Sequence, residues 1–168
     1  MKKKGVFIFT IAFLLCSCVS ESKKPVYYDV SEETESSEEI VVPFRDENGV
    51  KLVPVKVNGV GFEMIFDTGC SGTLISLAEA QYLYSKGTLT EEDFLGVAHS
   101  QIADGSVVEN MVVNLKEVVI DDRIFCNDVQ ATVSSNVNAP LLLGNEVLDR
   151  TATITIDNNN NTLIFKLK

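Results

Sequence analysis

An acidic residue directly behind a strand-like apolar run is the feature that most constrains this chain. Met64, Ile65 and Phe66 are followed by Asp67, then by Thr68 and Gly69. Propensity alone would place an acid in an exposed turn, and a carboxylate behind such a strand loses hydration, so its position indicates a function. The glycine permits close backbone approach, and the threonine hydroxyl can donate and accept hydrogen bonds. The alternative is an acid that only caps a turn.

The rest of the chain favours a mostly-β fold. One helix is predicted over residues 77–86, after a Ser76 cap and before Gly87, and a second short turn is predicted after Thr90. Predicted strands cover residues 40–44, 51–57, 62–66, 97–102, 107–119, 124–133, 152–156 and 163–167. Many short strands with one or two short helices predict a barrel-like domain of about 130 residues, here residues 40–168.

The first residues predict export. Residues 1–17 begin with three lysines and continue as a short apolar stretch, which is typical of a signal peptide and too short to span a bilayer. The end of this stretch, Leu15-Cys16-Ser17-Cys18, resembles the lipobox of bacterial lipoproteins, with Cys18 as the lipidated residue. That resemblance implies a lipid anchor in the bacterial cell envelope, facing the periplasm or the exterior. The alternative is an ordinary signal peptide that contains two cysteines.

Residues 18–39 form a polar, acidic segment that we interpret as a flexible linker between anchor and domain; an acidic partner-binding tail is the alternative. Removal of residues 1–17 takes away three lysines and no acid. The remainder has 11 basic and 24 acidic residues, a net charge of −13. Such a charge repels nucleic acid, so we expect no nucleic-acid partner.

Two thiols remain in the predicted domain, Cys70 and Cys126. In an oxidising compartment they can form a disulfide, or they are two small buried residues, which is the interpretation that we favour. The single histidine, His99, cannot build a metal site and is interpreted as a strand residue with one exposed face.

The Asp67-Thr68-Gly69 segment resembles the active-site loop of aspartic peptidases of the retropepsin and pepsin clan, in which this tripeptide follows an apolar strand. Two later segments extend the resemblance over about residues 50–168. Ala103, Asp104, Gly105 and Ser106 resemble a flap, and Leu142-Leu143-Gly144 resembles the apolar element that packs beneath the loop. The chain most resembles the single-domain bacterial retropepsin-like proteins, which implies a closed β-barrel of the acid-protease fold.

The resemblance implies an aspartic endopeptidase with Asp67 as the catalytic residue. Two facing aspartates share a proton in this chemistry, and one activates water while the other polarises the scissile carbonyl. The motif occurs once here, so the second carboxylate is expected from Asp67 of another copy in a homodimer. Thr68 would brace the two loops and Gly69 would present backbone to a peptide or protein substrate. No metal or organic cofactor is implied.

Cys70 and Ser71 depart from the retroviral pattern, which usually has alanine and aspartate there, so a viral-type dimer contact cannot be assumed. Arg150 is interpreted as a solvated surface residue, with pairing to an acid near the loop as the alternative. Two other functions stay open. One is an inactive retropepsin-like lipoprotein that binds a peptide or a protein partner, and the other is a β-rich surface lipoprotein.

Overall fold

The computed structural model describes residues 38–101 and 104–168. The predicted signal peptide, the lipidation site Cys18 and most of the predicted linker lie outside the described residues, as does Ala103 of the predicted flap. The first described strand begins at Glu39, at the end of that linker. In the described part of the chain, no helix combines the length and the apolar character that crossing a membrane requires.

Strands dominate the described residues, and the mostly-β prediction is confirmed. The helices are α1 (Leu77–Ser85) and α2 (Asn145–Leu148), and a 3-10 turn covers Glu91–Asp93. The strands are β1 (Glu39–Pro43), β2 (Arg45–Glu47), β3 (Val50–Val57), β4 (Val60–Phe66), β5 (Thr73–Ser76), β6 (Phe94–Gln101), β7 (Val107–Ile120), β8 (Ile124–Ser134), β9 (Leu142–Leu143), β10 (Thr151–Asp157) and β11 (Thr162–Leu167).

The larger sheet closes on itself. Its eight strands run in the order β2-β3-β4-β9-β5-β8-β7-β6, and β3 also pairs with β7, for example Val55 with Ile120. This additional pairing joins β3, β4, β9, β5, β8 and β7 into a ring. A separate antiparallel sheet has the order β1-β11-β10, with β1 on an edge as predicted.

The hairpin of β3 and β4 delivers the acidic loop. Asn58 and Gly59 form its turn with φ values of 48° and 81°, the left-handed conformation that such a two-residue turn requires. Alternate residues of β3 are buried, and β4 runs back and ends at Phe66, directly before Asp67. This predicted hairpin is confirmed. A second turn of the same kind, at Asn48 and Gly49, joins β2 to β3 and was not predicted, because β2 is short, charged and exposed.

Helix α1 begins where the sequence predicts. The Ser76 hydroxyl oxygen accepts the N–H of Ala78 at 3.1 Å, and Gly87, at φ 70°, follows the C-terminal end. Leu83 is fully buried and anchors the helix on the core. The helix therefore packs on the side of the ring that β5 and β8 form.

The core consists of the inward-facing aliphatic residues of the ring, such as Leu115, Val129 and Leu143. Cys126 belongs to this core and is 4% exposed, whereas Cys70 is half-buried in the acidic loop. Both are free thiols. Burial raises the pKa of the Cys126 thiol; the nearby Arg150 guanidinium opposes this shift and the Glu146 carboxylate adds to it.

Candidate active site

The loop that carries Asp67 is held by a strand from far along the chain. Strand β9 lies between the strands that enter and leave the loop, pairing Phe66 of β4 with Leu143 in parallel and Leu74 of β5 with Leu142 in antiparallel. The Asp67 N–H donates to the Leu143 carbonyl at 3.1 Å. The predicted support by Leu142 and Leu143 therefore takes the form of a strand pairing that fixes the backbone at Asp67.

Gly144 lies directly against the backbone of the loop that carries Asp67. A Cβ atom at this position would lie 2.0 Å from the Gly72 carbonyl oxygen and 2.6 Å from that of Cys70. No side chain fits there, so the sequence needs glycine between β9 and α2. This requirement explains the Leu-Leu-Gly pattern on steric grounds.

The first turn of α2 binds the carbonyls of the same loop. The Asn145 N–H donates to the Cys70 carbonyl at 2.9 Å, and the Glu146 N–H donates to the Ser71 carbonyl at 3.1 Å. The Asn145 side-chain amide also donates to the Thr68 carbonyl at 3.2 Å. Helix N-termini leave their first N–H groups unpaired, and here the loop supplies the acceptors. Sequence analysis missed both Asn145 and Glu146.

The Asp67 carboxylate is oriented from within its own loop. Its Oδ1 atom accepts the Gly69 N–H at 2.9 Å, and its carbonyl oxygen accepts the Cys70 N–H at 3.3 Å. Asp67 is half-buried. A Cβ on Gly69 would lie 3.2 Å from Oδ1, so the absence of a side chain at Gly69 also permits a close contact.

Asp67 opens into a cleft of about 540 Å³ between the loop and the β6–β7 hairpin. The loop side is lined by Gly69, Cys70 and Ser71 as well as Asp67. Two further walls come from the hairpin and from β8, and they contribute Gln101, Val108, Asn110, Thr132, Ser134 and Ser135. The sequence could have indicated Thr132 and Ser134, because they alternate with the buried Ala131 and Val133 along β8.

Within the described ranges, Asp67 is the only charged residue that lines this cleft. The same ranges contain no group of three or more His, Cys, Asp or Glu side chains placed to hold a metal ion. The chemistry that the cleft can offer is therefore that of a carboxylate with backbone amides and neutral polar side chains around it.

The predicted flap lies at the tip of the β6–β7 hairpin. The Asp104 Oδ1 atom accepts the N–H of Ser106 at 2.8 Å and its hydroxyl at 2.7 Å. Both bonds hold the pKa of the Asp104 carboxyl below its usual range, and the bond from the hydroxyl has the larger effect. Gly105 has a φ of 86°. Asp104, Gly105 and Ser106 are exposed and do not line the cleft. His99 is exposed on β6 and does not line the cleft either.

Thr68 faces away from the cleft. It is exposed and lines a separate shallow hollow together with Asn145, Ala152 of β10 and the C-terminal Lys168. The structure thus divides the predicted loop residues. Asp67, Gly69, Cys70 and Ser71 reach the cleft, and Thr68 lies beside the edge of β10.

Arg150 is not the solvated residue that we predicted. Its guanidinium binds the Glu146 carboxylate at 2.6 Å and donates to the carbonyls of Asn127 and Asp128 on β8, the latter at 3.1 Å. Since Glu146 also binds the loop carbonyl of Ser71, Arg150 ties α2 and the loop to the ring. The alternative interpretation, pairing with an acid near the loop, is correct.

Comparison with known proteins agrees with this geometry. A family model described as "gag-polyprotein putative aspartyl protease" matches residues 53–150, which is more than half of the chain. The chain belongs to this aspartyl protease family. The match includes both Asp67-Thr68-Gly69 and Leu142-Leu143-Gly144, the two segments that carried the resemblance. No curated protein matches the chain.

The aspartyl protease fold has a solved counterpart. The crystal structure of a retropepsin-like aspartic protease from Rickettsia conorii superposes with a TM-score of 0.55 at 22% sequence identity, covering 77% of this chain and 90% of that chain. At this identity the similarity establishes the fold. The predicted retropepsin-like class is confirmed.

Proposed function

We propose that this aspartyl protease family member is an endopeptidase that hydrolyses peptide bonds between two Asp67 carboxylates of a homodimer. The observation that carries the proposal is the oriented carboxylate. Asp67 is held by the Gly69 N–H and by β9 at the floor of a cleft in which no other described residue is charged. A carboxylate fixed in this way suits general acid–base catalysis.

The expected mechanism uses two carboxyl groups that share one proton. Two carboxyl groups about 3 Å apart share it because their like charges prevent both from being ionised at once. The ionised Asp67 removes a proton from water, whose oxygen bonds to the carbonyl carbon. The protonated partner donates its proton to the carbonyl oxygen, which gives a tetrahedral diol. The Asp67 that took the proton from water then gives it to the amide nitrogen, and as the C–N bond breaks a diol hydroxyl returns a proton to the partner carboxylate, so that a carboxylic acid and an amine leave and the shared proton is restored.

Two observations near Thr68 support the homodimer. The outer edge of β10 pairs with no described strand, and its Thr-Ile alternation has no proline or lysine to block pairing. The other edge of this sheet, β1, is protected by Pro43 and by the Arg123 guanidinium, which donates to the Val41 carbonyl. A second copy that adds to the β10 edge would bring its own Thr68 close, which suits a shared site.

The substrate proposed is an extended peptide or protein segment bound between the loop and the β6–β7 hairpin, whose tip would close over it. We also propose that residues 18–39 link this domain to a lipid at Cys18 in the bacterial cell envelope. Incorporation of a radiolabelled fatty acid tests the anchor: a Cys18→Ser chain is expected to lose the label, and a chain labelled as strongly as the original contradicts it.

The activity is tested by incubating a diverse peptide library with the original chain and with Asp67→Asn at mildly acidic and neutral pH. The amide cannot act as a base, so we expect cleavage by the original chain alone. Equal behaviour of the two chains refutes the peptidase proposal. Asp46→Asn is the matched control, because it makes the same change at an exposed residue of β2 that does not line the cleft.

The shared site is tested by mixing. When the original chain exchanges subunits with a nine-fold excess of Asp67→Asn, random pairing leaves about one original chain in ten with an original partner. Activity per original chain should then fall about ten-fold. Activity that stays constant in this mixture, or a strict monomer in sedimentation at high concentration, contradicts the homodimer even if peptides are cleaved.

A further inference from the structure

Three neutral polar side chains share one face of the cleft. In the antiparallel register of β7 and β8, Val112 lies opposite Thr132 and Met111 opposite Val133, which places Asn110 opposite Ser134. Residues alternate between faces along a strand. Ala131 and Val133 point into the core, whereas Asn110, Thr132 and Ser134 are half-buried and line the cleft.

These three side chains have hydrogen-bonding capacity left over. The Ser134 hydroxyl oxygen accepts the N–H of Asn136 at 3.2 Å, which leaves its own proton free to donate. Asn110 and Thr132 make no side-chain hydrogen bond to any residue that the structure describes. An amide offers two donors and an acceptor, and a hydroxyl offers one donor. In the free protein, water can satisfy these groups.

The surroundings of the three define what can replace that water. Apolar side chains of Leu74, Val108 and Leu142 flank them, and no described aromatic or basic residue lines the cleft. An aliphatic ligand group would leave the amide and hydroxyls unpaired, which weakens binding by roughly 5- to 150-fold for each group so buried. An acidic group would face Asp67 without a cation to balance it. A neutral group that donates and accepts hydrogen bonds meets neither obstacle.

We propose that Asn110, Thr132 and Ser134 form a specificity subsite that selects peptides with an Asn, Gln, Ser or Thr side chain next to the cleaved bond. This proposal rests on the proposed peptidase function, and it names the substrate class of that site. A site built to hydrogen-bond a substrate group rejects the apolar isostere because its own polar groups remain unpaired. The flanking leucines and valine would hold the aliphatic part of the same side chain.

The test compares kcat/KM for matched peptides on the full-length chain in detergent. The peptides differ at one position next to the cleaved bond, as the near-isosteric pairs Asn and Leu or Thr and Val. We expect a preference of about ten-fold or more for the polar member of each pair. Thr132→Val and Asn110→Leu should reduce or reverse it, and Thr132→Ser should keep it. Thr162→Val, on the central strand β11 and outside the cleft, is the control.

Binding separates this proposal from the proposed function. The same peptides are titrated against the Asp67→Asn chain by fluorescence anisotropy. Tighter binding of polar peptides that Thr132→Val abolishes supports the subsite, even if no peptide is cleaved and the peptidase proposal fails. Equal or tighter binding of the Leu and Val peptides overturns the subsite, even if the original chain cleaves them. A preference left unchanged by both Thr132→Val and Asn110→Leu also overturns it.

Discussion

Replacement of Gly144 by alanine isolates the contact on which the loop depends. The added Cβ would lie 2.0 Å from the Gly72 carbonyl oxygen, whereas real Cβ contacts are essentially never under 3.0 Å. The loop and α2 must therefore separate by about 1 Å. Both partners are backbone, so no flexible side chain can absorb the change.

The magnitude follows from what that separation breaks. Overpacking costs about 1–3 kcal/mol. The hydrogen bonds from Asn145 to Cys70 and from Glu146 to Ser71, at 2.9 and 3.1 Å, are also stretched. Each contributes about 0.5–1.5 kcal/mol, so the free energy of unfolding should fall by roughly 2–6 kcal/mol. If the chain is a peptidase, displacement of Asp67 by about 1 Å should also lower kcat/KM about 100-fold.

Urea unfolding followed by circular dichroism measures the first effect. A loss of this size should lower the midpoint by roughly 1–3 M for an m-value near 2 kcal/mol/M. Gly61→Ala is the matched control, since Gly61 lies in β4 with ordinary φ and nothing within 4 Å of its added Cβ. A Gly144→Ala protein within about 0.5 kcal/mol of that control would refute the steric argument.

Three further outcomes are expected. Burial opposes ionisation of Asp93, but bonds from the Thr90 N–H and hydroxyl and from Lys116 outweigh it and hold its pKa below the usual range. The ionised Asp93 therefore stabilises the folded state above the unfolded pKa of about 3.9, and this contribution is lost as pH falls through the folded pKa. Asp93→Asn should destabilise the fold by about 1–2 kcal/mol at pH 7 and by much less in acid. Thermal unfolding at each pH measures the difference between the two chains, and a difference that does not change with pH contradicts this prediction. Peptide mapping after iodoacetamide treatment should find Cys70 modified and Cys126 protected by burial and its raised pKa, and equal labelling contradicts this. Arg150→Met should cost about 2–4 kcal/mol in urea unfolding, because charged hydrogen bonds to α2 and β8 are lost; an unchanged midpoint contradicts it.

The elements that the sequence predicts are those specified locally. Asn58-Gly59 determines a hairpin by its φ requirements, and Ser76 starts α1 by binding its first N–H groups. Helix α2 was missed because its N-cap is Gly144, which offers no capping side chain, and because the helix has only four residues. Gly144 allows close contact with a loop some 70 residues earlier in the chain, and no local sequence pattern predicts a contact of that kind.

The candidate site was predictable to the same extent. Asp67 and its glycine stood out because they break the local rules for an acid near an apolar strand. Asn110 and Thr132 are ordinary polar residues for the outer face of a strand, so the local sequence does not mark them as functional. Their place in the site depends on the closed ring, in which that face forms the wall of a cleft. Alternation along β7 and β8 predicts their face but not what the face encloses.

The geometry at Asp67 gives its two oxygens different roles. Oδ1 is bound by the Gly69 N–H at 2.9 Å, whereas Oδ2 accepts no hydrogen bond from any described residue. Oδ1 is therefore held on the loop, and Oδ2 is the atom that can exchange a proton with water or with a second carboxyl group. Since no other described acid lines the cleft, the proposed mechanism takes that carboxyl group from a second copy of the chain. The exposed Thr68 and the β10 edge, which pairs with no described strand, lie together outside the cleft. Catalysis and association would thus depend on adjacent residues of one loop, Asp67 toward the cleft and Thr68 toward the partner, so that only the assembled dimer could be active.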